Sequence, residues 1–479
     1  MNTPESAWGA RGPEFKSRRS DQSFRACPRI GGWTTVLLAV AASTLQAQQS
    51  PQPPVTSASD RSAASAADES APALNSTEQG RVAMSDSFKS RRERITEERR
   101  QAWQDTLFTW QLRTIDMYTI NADDSRSAAW ALGGAAGFQT GFFRNLFSFG
   151  ATGYTSQPIY APSDESGTNL LKPNQNGYTV LGEAFAQFRI TDTLDLTVGR
   201  RGLDTPFISR NDTRMTPQTF EAVALQGTAG ELEEEGILRY GAGYVDKEKQ
   251  VNSDDFVNMA QVAGASVDRG VYVAGASYKT PGWSLGAMEY YSEDIINIAA
   301  TEGTYVIPLA ETRRVNLFAQ YIAQHSTGME ALPGGYFSTS QFGMKAELAT
   351  GPALLTIAYT GTAGGASMRS PWSGYPGYTS VQVLNFDLAG ENAFMLRAAC
   401  NVEAIPGFSV YGLWVRGSTS QPPTPQTQDE YDANLQWSPP QSSSLRGVMF
   451  RVRYAVVTQT NAARQSQLRL MLFYTPPTK

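Results

Sequence analysis

Arginines recur in this chain at spacings that could place several guanidinium groups side by side on one surface. Arg451 and Arg453 stand two residues apart in GVMFRVRYAVV (447–457), Arg469 lies in QLRLMLFY (467–474) and Arg416 in VYGLWVRG (410–417). Successive side chains of a strand point to opposite faces, so Arg451 and Arg453 project together, away from Val448, Phe450, Val452, Tyr454 and Val456. In the second segment Arg469 opposes Leu468, Leu470, Leu472 and Tyr474, and in the third Gly412, Trp414 and Arg416 oppose Tyr411, Leu413 and Val415. The planar fork of arginine suits bidentate contact with a carboxylate. A row of such groups would attract carboxylates and pass them along. Other chemistry is thinly represented. The chain has one His and two Cys, too few for a zinc cluster. His325 is the single candidate general base, but its neighbour Ser326 would point to the other side of a strand, a poor geometry for a nucleophile and base. NDTR (211–214) and NADD (121–124) lack the spacing of a calcium loop, so no metal or cofactor is expected.

The elements that would carry these arginines read as strands. Past Leu107 the chain runs in stretches of about ten residues with apolar side chains at alternate positions, aromatics at the ends, and turns of Gly, Pro, Asn and Asp. A soluble sandwich would also alternate, but its polar face would be rich in Lys and Glu. Here that face is Thr, Gln, Ser, Gly, Asn and Arg, as in VNLFAQYIAQ (315–324) with Asn316 and Gln320. Uncharged polar groups suit a water-filled lumen. Composition agrees: only 18% of the 479 residues are charged, against about 25% in typical soluble domains, yet no run reaches the roughly 18 apolar residues of a membrane-spanning helix. Dividing the span from about residue 105 to the end by roughly 20 residues per strand and connection gives near 18 strands. A barrel of that size encloses an aqueous channel. The net charge of -5 argues against a nucleic-acid partner.

Ahead of the barrel lie three further segments. Basic residues Arg11, Lys16, Arg18, Arg19, Arg25 and Arg29 precede the apolar run WTTVLLAVAASTL (33–45), the layout of a secretory signal over residues 1–47. Residues 48–84 are Ser, Ala, Pro and Gln with almost no large apolar side chain, a disordered linker. Residues 85–105 carry dense alternating charge, a solvated helical segment. Residues 106–479 form the barrel domain. Loss of the signal leaves Cys400 as the one cysteine, without a disulfide partner.

Four ordered segments resemble the OprD-type outer-membrane porins: WALGGAAGFQTGFFRNLFSFGATGY (130–154); TLDLTVGRRGLDTPFISRNDTRMTPQTFEAV (193–223), with Gly199, Arg200, Pro206, Asp212, Arg214 and PQTFE; SPWSGYPGYTS (370–380); and 429–457. The resemblance spans about residues 107–474. It implies an 18-stranded antiparallel barrel with short periplasmic turns, long external loops and a constriction where loops fold inward. It further implies passive diffusion of small hydrophilic solutes, carboxylates or amino acids, along an arginine ladder that faces acidic loop residues. Arg451 and Arg453 match the family's final-strand pattern. Arg416 and Arg469 join the ladder by strand parity alone, and Arg200 or Arg201 by proximity to the matched segment. The expected location is the outer membrane of a Gram-negative-type bacterium, in contact with lipid and lipopolysaccharide. A homotrimer and a peptidoglycan contact through residues 48–105 are compatible with this layout. The chain departs from the family in an acidic loop, GELEEEG (230–236), a long N-terminal extension, and an ending, FYTPPTK, that places Phe473 and Tyr474 as its last aromatics. Two readings compete: a barrel hydrolase using His325, and a tether between outer membrane and cell wall.

Overall fold

The computed structural model describes residues 91–477 except 231–235, 373 and 422–424. The signal, the linker and most of the acidic loop lie outside the described residues. Helix α1 (Arg91–Gln104) is followed by β1 (Leu107–Ile120), β2 (Arg126–Gln139), β3 (Phe147–Tyr160), β4 (Tyr178–Thr191), β5 (Leu194–Arg201), β6 (Thr219–Ala229) and β7 (Ile237–Lys249). A two-residue strand, β8 (Val257–Asn258), and a single helical turn, α2 (Met259–Val262), precede β9 (Val271–Lys279), β10 (Trp283–Ser292), β11 (Ile296–Ala310), β12 (Arg313–Ser326), β13 (Ser338–Thr350) and β14 (Ala353–Thr362). The wall is completed by β15 (Asn392–Asn401), β16 (Phe408–Thr419), β17 (Gln426–Trp437), β18 (Val448–Gln459) and β19 (Gln465–Tyr474).

Each wall strand pairs antiparallel with its sequence neighbours, β7 pairs directly with β9, and β1 pairs with β19 from Leu112↔Tyr474 to Ile120↔Ser466. The sheet is therefore a closed barrel of 18 strands, with β8 as a small addition on β7. Closure removes the edges that an open sheet would expose to lipid. Alternation decides which face meets lipid. On β18 and β19, Phe450, Tyr454, Leu470 and Leu472 are exposed on the outside, while Arg453, Ala455, Arg469 and Met471 are buried inside. Asn316 and Gln320 likewise face inward and are buried. In β2, Gly133 and Gly134 are required by backbone approach: a Cβ on Gly134, whose φ is +149°, would come within 1.9 Å of the Gln111 carbonyl oxygen. No described helix is long and apolar enough to cross a membrane.

Helix α1 packs at the short-turn end. Ala102 is buried, its carbonyl accepts from Gly141 N–H at 3.0 Å, and Trp103 meets the edges of Phe143 and Phe149. At the opposite end lie the long connections, and two of them turn into the barrel. Residues 202–218 and 363–391 meet inside it, where Phe207 contacts Tyr375 and Tyr290 edge-on (6.2 and 5.6 Å between centroids). Leu203, Ile208, Trp372 and strand residues Ile298 and Ile322 join the same buried cluster. The barrel's apolar core is thus built by loops against the inner wall.

One expectation about the wall fails here. On β16 the inward residues are Tyr411, Leu413 and Val415, and Arg416 points outward in register with exposed Phe394. Its side chain is 57% exposed and lies 3.8 Å from Asp429. The physical reason is loop 363–391: Val415 packs against Val381 and Phe386, so the inner face of β16 is apolar too. Apolar side chains therefore stand on both faces of this strand, Trp414 outside and Val415 inside, and do not mark the lipid side. Arg200 is also outward. It pairs across the sheet with Glu221 (3.4 Å), while adjacent Arg201 faces in and is buried.

Candidate functional site: the constricted lumen

Of the six arginines singled out from the sequence, the structure brings four to the inner wall: Arg201, Arg451, Arg453 and Arg469. Three of these sit together on β18 and β19, where Arg453 lies opposite Arg469. Arg451 donates from Nε to Gln436 Oε1 at 2.8 Å, Arg453 from Nη2 to the Tyr411 hydroxyl at 2.7 Å, and Arg469 from Nε to Gln467 Oε1 at 2.8 Å. Arg201 is set apart on β5, stacked over Phe185 at 4.3 Å. Such contacts fix the guanidinium planes against the wall.

Three further arginines belong to the same basic wall. Arg113 on β1 faces inward, forms a bidentate pair with Asp212 of loop 202–218, and lies over the Phe473 ring at 4.9 Å. Arg397 on β15 is buried and stacks on Tyr411 at 4.4 Å. Arg214 of loop 202–218 donates to the Thr168 carbonyl at 2.8 Å. Burial, then the like charge of Arg453, pushes Arg214 down to about 9. Positive charge is thus concentrated on β15, β18, β19, β1 and the loop that folds toward them. Parity could have found Arg113, which alternates with outward Leu112 and Trp110, and Arg397, which alternates with Phe394 and Leu396. Arg214 carries no such signal, because a loop has no period.

Carboxylates on β17 hold the second loop in place. Glu430 accepts from the backbone N–H groups of Val383 and Leu384, each at 2.7 Å, and Asp432 accepts from Gln382 N–H at 3.2 Å. Arg469 reaches the Gln382 carbonyl at 3.5 Å. The loop is therefore tied to the basic wall at residues 382–384. At its return, Glu391 accepts from Leu388 N–H and Gln428 Nε2; burial pushes Glu391 up to about 7 and nearby Asp387 up to about 6.

Across the lumen the wall is different. On β6, β7 and β9 several inward positions are small, including Ala224, Gly241, Gly243 and Gly275, and with Leu203, Thr205 and Ile208 of loop 202–218 they line a cavity of about 170 Å³, which Arg239 and Asp195 also border. One side of the constriction carries a cluster of arginines, and the other combines small residues with fewer charges around open space.

A family model described as outer membrane porin, OprD family, matches residues 103–477. The chain belongs to the OprD family of porins. These are outer-membrane channels for small solutes in Gram-negative bacteria. Solved structures of the same fold include Pseudomonas aeruginosa OccK9 (OpdG), 21% identical with a TM-score of 0.70 over 79% of this chain and 100% of that one. Pseudomonas aeruginosa OpdK with vanillate is 18% identical, with a TM-score of 0.68 over 78% and 99% of the two chains. Acinetobacter baumannii OccAB3 is 16% identical, with a TM-score of 0.69 over 78% and 99%. No curated relative matches the chain. In this OprD-family porin, His325 and Ser326 project from opposite faces of β12, His325 exposed and Ser326 buried against Phe337.

Proposed function

We propose that this porin passes small carboxylates, amino acids among them, by passive diffusion along the basic wall formed by Arg397, Arg451, Arg453, Arg469, Arg113 and Arg214. The observation that carries the reading is the adjacency of Arg453, Arg469 and Arg214 beside the anchored loop at 382–384. A narrow lumen displaces water, so charges there act more strongly than in bulk. A carboxylate drawn to one guanidinium meets the next within reach, and weak multi-site binding lets it leave as readily as it enters. The cavity at β6, β7 and β9 accommodates the uncharged part of the solute. Binding of vanillate, an aromatic carboxylate, by OpdK supports the class.

The test is ion preference in a planar bilayer under a salt gradient. R451A/R453A shifts the reversal potential toward cations, and anionic solute flux falls by about tenfold, the loss of one charge-assisted contact of ~1.5 kcal/mol. Outward Arg416→Ala leaves both unchanged. Equal reversal potentials for wild type and R451A/R453A would remove the arginines from the account.

A further inference from the structure

Charged side chains on the outer face of the barrel are not spread evenly. Asp116, Glu289 and the Arg416–Asp429 pair all lie within a few residues of the strand ends that carry the long loops. The short-turn end has Arg313, at the first position of β12, as its outward charge among the described strand residues. In a transmembrane barrel the long loops are external, so this collar sits at the headgroup level of the outer leaflet. Its densest part is built on β5, β6 and β7. Arg200 and Lys247 flank Glu221 at 3.4 and 3.9 Å, and Asp246 lies 3.6 Å from Lys247. A bulge between Glu221 and Ala222, opposite Lys247 and Val245, turns Asp246 and Lys247 to the outside together.

We infer that Arg200 and Lys247 form a binding site for a phosphate of lipid A on the membrane face of the barrel. Three observations support it. First, the two cations are held in place but are not used up. Arg200 spends Nε on Glu221, and Lys247 stands at ion-pair distance from two carboxylates, beyond hydrogen-bond range of both, with no other partner among the described residues. An ammonium with three donors and a guanidinium fork are the groups that grip a phosphate. Second, both side chains stay about 40% exposed, Arg200 braced from one side by the Phe256 ring at 4.2 Å. Third, the level is right. Directly below, Tyr244 and Tyr272 pair at 5.0 Å as an interfacial aromatic belt, and below them exposed Val223, Leu225 and Tyr240 face the acyl chains. Apolar side chains, then rings, then cations, read outward from the membrane centre, match a lipid whose phosphate lies above its acyl chains. Glu221 stands between the two cations and orients them.

The site rests on the outer-membrane location and not on the identity of the solute, so the two readings fail separately. The experiment uses the full chain, purified and folded in detergent, mixed with bisphosphorylated lipid A or with lipid A stripped of both phosphates, and bound lipid is counted by native mass spectrometry. Wild type is expected to retain the phosphorylated lipid and to release the stripped one. R200A/K247A, checked for folding by its heat-dependent gel mobility, retains about tenfold less while its single-channel conductance matches wild type. E221Q, which keeps both cations, still retains the lipid. Equal retention by wild type and R200A/K247A, or of stripped and phosphorylated lipid A, overturns the site. Inorganic phosphate that competes at the lipid's own concentration also overturns it, in favour of a free-anion site.

Discussion

The two sides of the lumen are made from the same strand geometry and do opposite things. On β15, β18, β19 and β1 long cationic side chains reach inward and are clamped by Tyr411, Gln436, Gln467 and Asp212. On β6, β7 and β9 glycine and alanine pull the wall back and leave a cavity. The inward loops divide in the same way: residues 382–384 are tied to β17 beside the arginines, and residues 203–208 roof the cavity. Under the proposed function, selectivity and capacity are built on separate strands. One can be changed without the other, and each change below tests that separation.

The largest effect is expected from Glu430→Ala. It leaves the Val383 and Leu384 N–H groups without their acceptor in a buried site, at ~1–3 kcal/mol for each unsatisfied donor. Residues 382–384 then leave the basic wall, and single-channel recordings show a larger, noisier conductance. A quiet trace of wild-type amplitude would show that the carboxylate does not set the constriction. Ala224→Phe should have an intermediate effect. It fills the cavity side, lowers conductance by about twofold because one wall alone narrows, and leaves the reversal potential at its wild-type value. A shift of that potential would break the division of labour.

The smallest effect is a pH dependence of loop motion. Glu391 and Asp387 are pushed up by burial to about 7 and about 6. Groups raised in the folded state favour the seated loop fully below their ordinary carboxylate range, and that contribution is lost as pH rises through 6 to 7. Brief loop openings should become more frequent between pH 5.5 and 8. Glu391→Gln flattens most of that change, and an unaltered profile in the variant would assign the effect elsewhere.

What could be read in the sequence depended on whether the two faces of a strand differ in polarity. β18 and β19 alternate Val, Phe, Tyr and Leu against Arg and Gln, so Arg451, Arg453 and Arg469 were assigned to the correct face. β16 is apolar on both faces because its inner face seats loop 363–391, so taking Tyr411, Leu413 and Val415 as the lipid side puts Arg416 on the wrong face. Arg200 and Arg201 are neighbours in a strand, so at most one could face inward, and it is Arg201. The inward course of loops 202–218 and 363–391 depends on contacts such as Phe207 with Tyr375, distant in sequence and without a period. The contribution of Arg214 was hidden with it. Barrel closure and strand number were legible because they follow from alternation and length alone.

The channel itself is the central claim, and single-channel recording of the purified, folded wild-type chain in a planar bilayer tests it most directly. The account predicts discrete, ohmic openings with an anion-leaning reversal potential in a salt gradient. A correctly folded barrel that inserts and never conducts would contradict it.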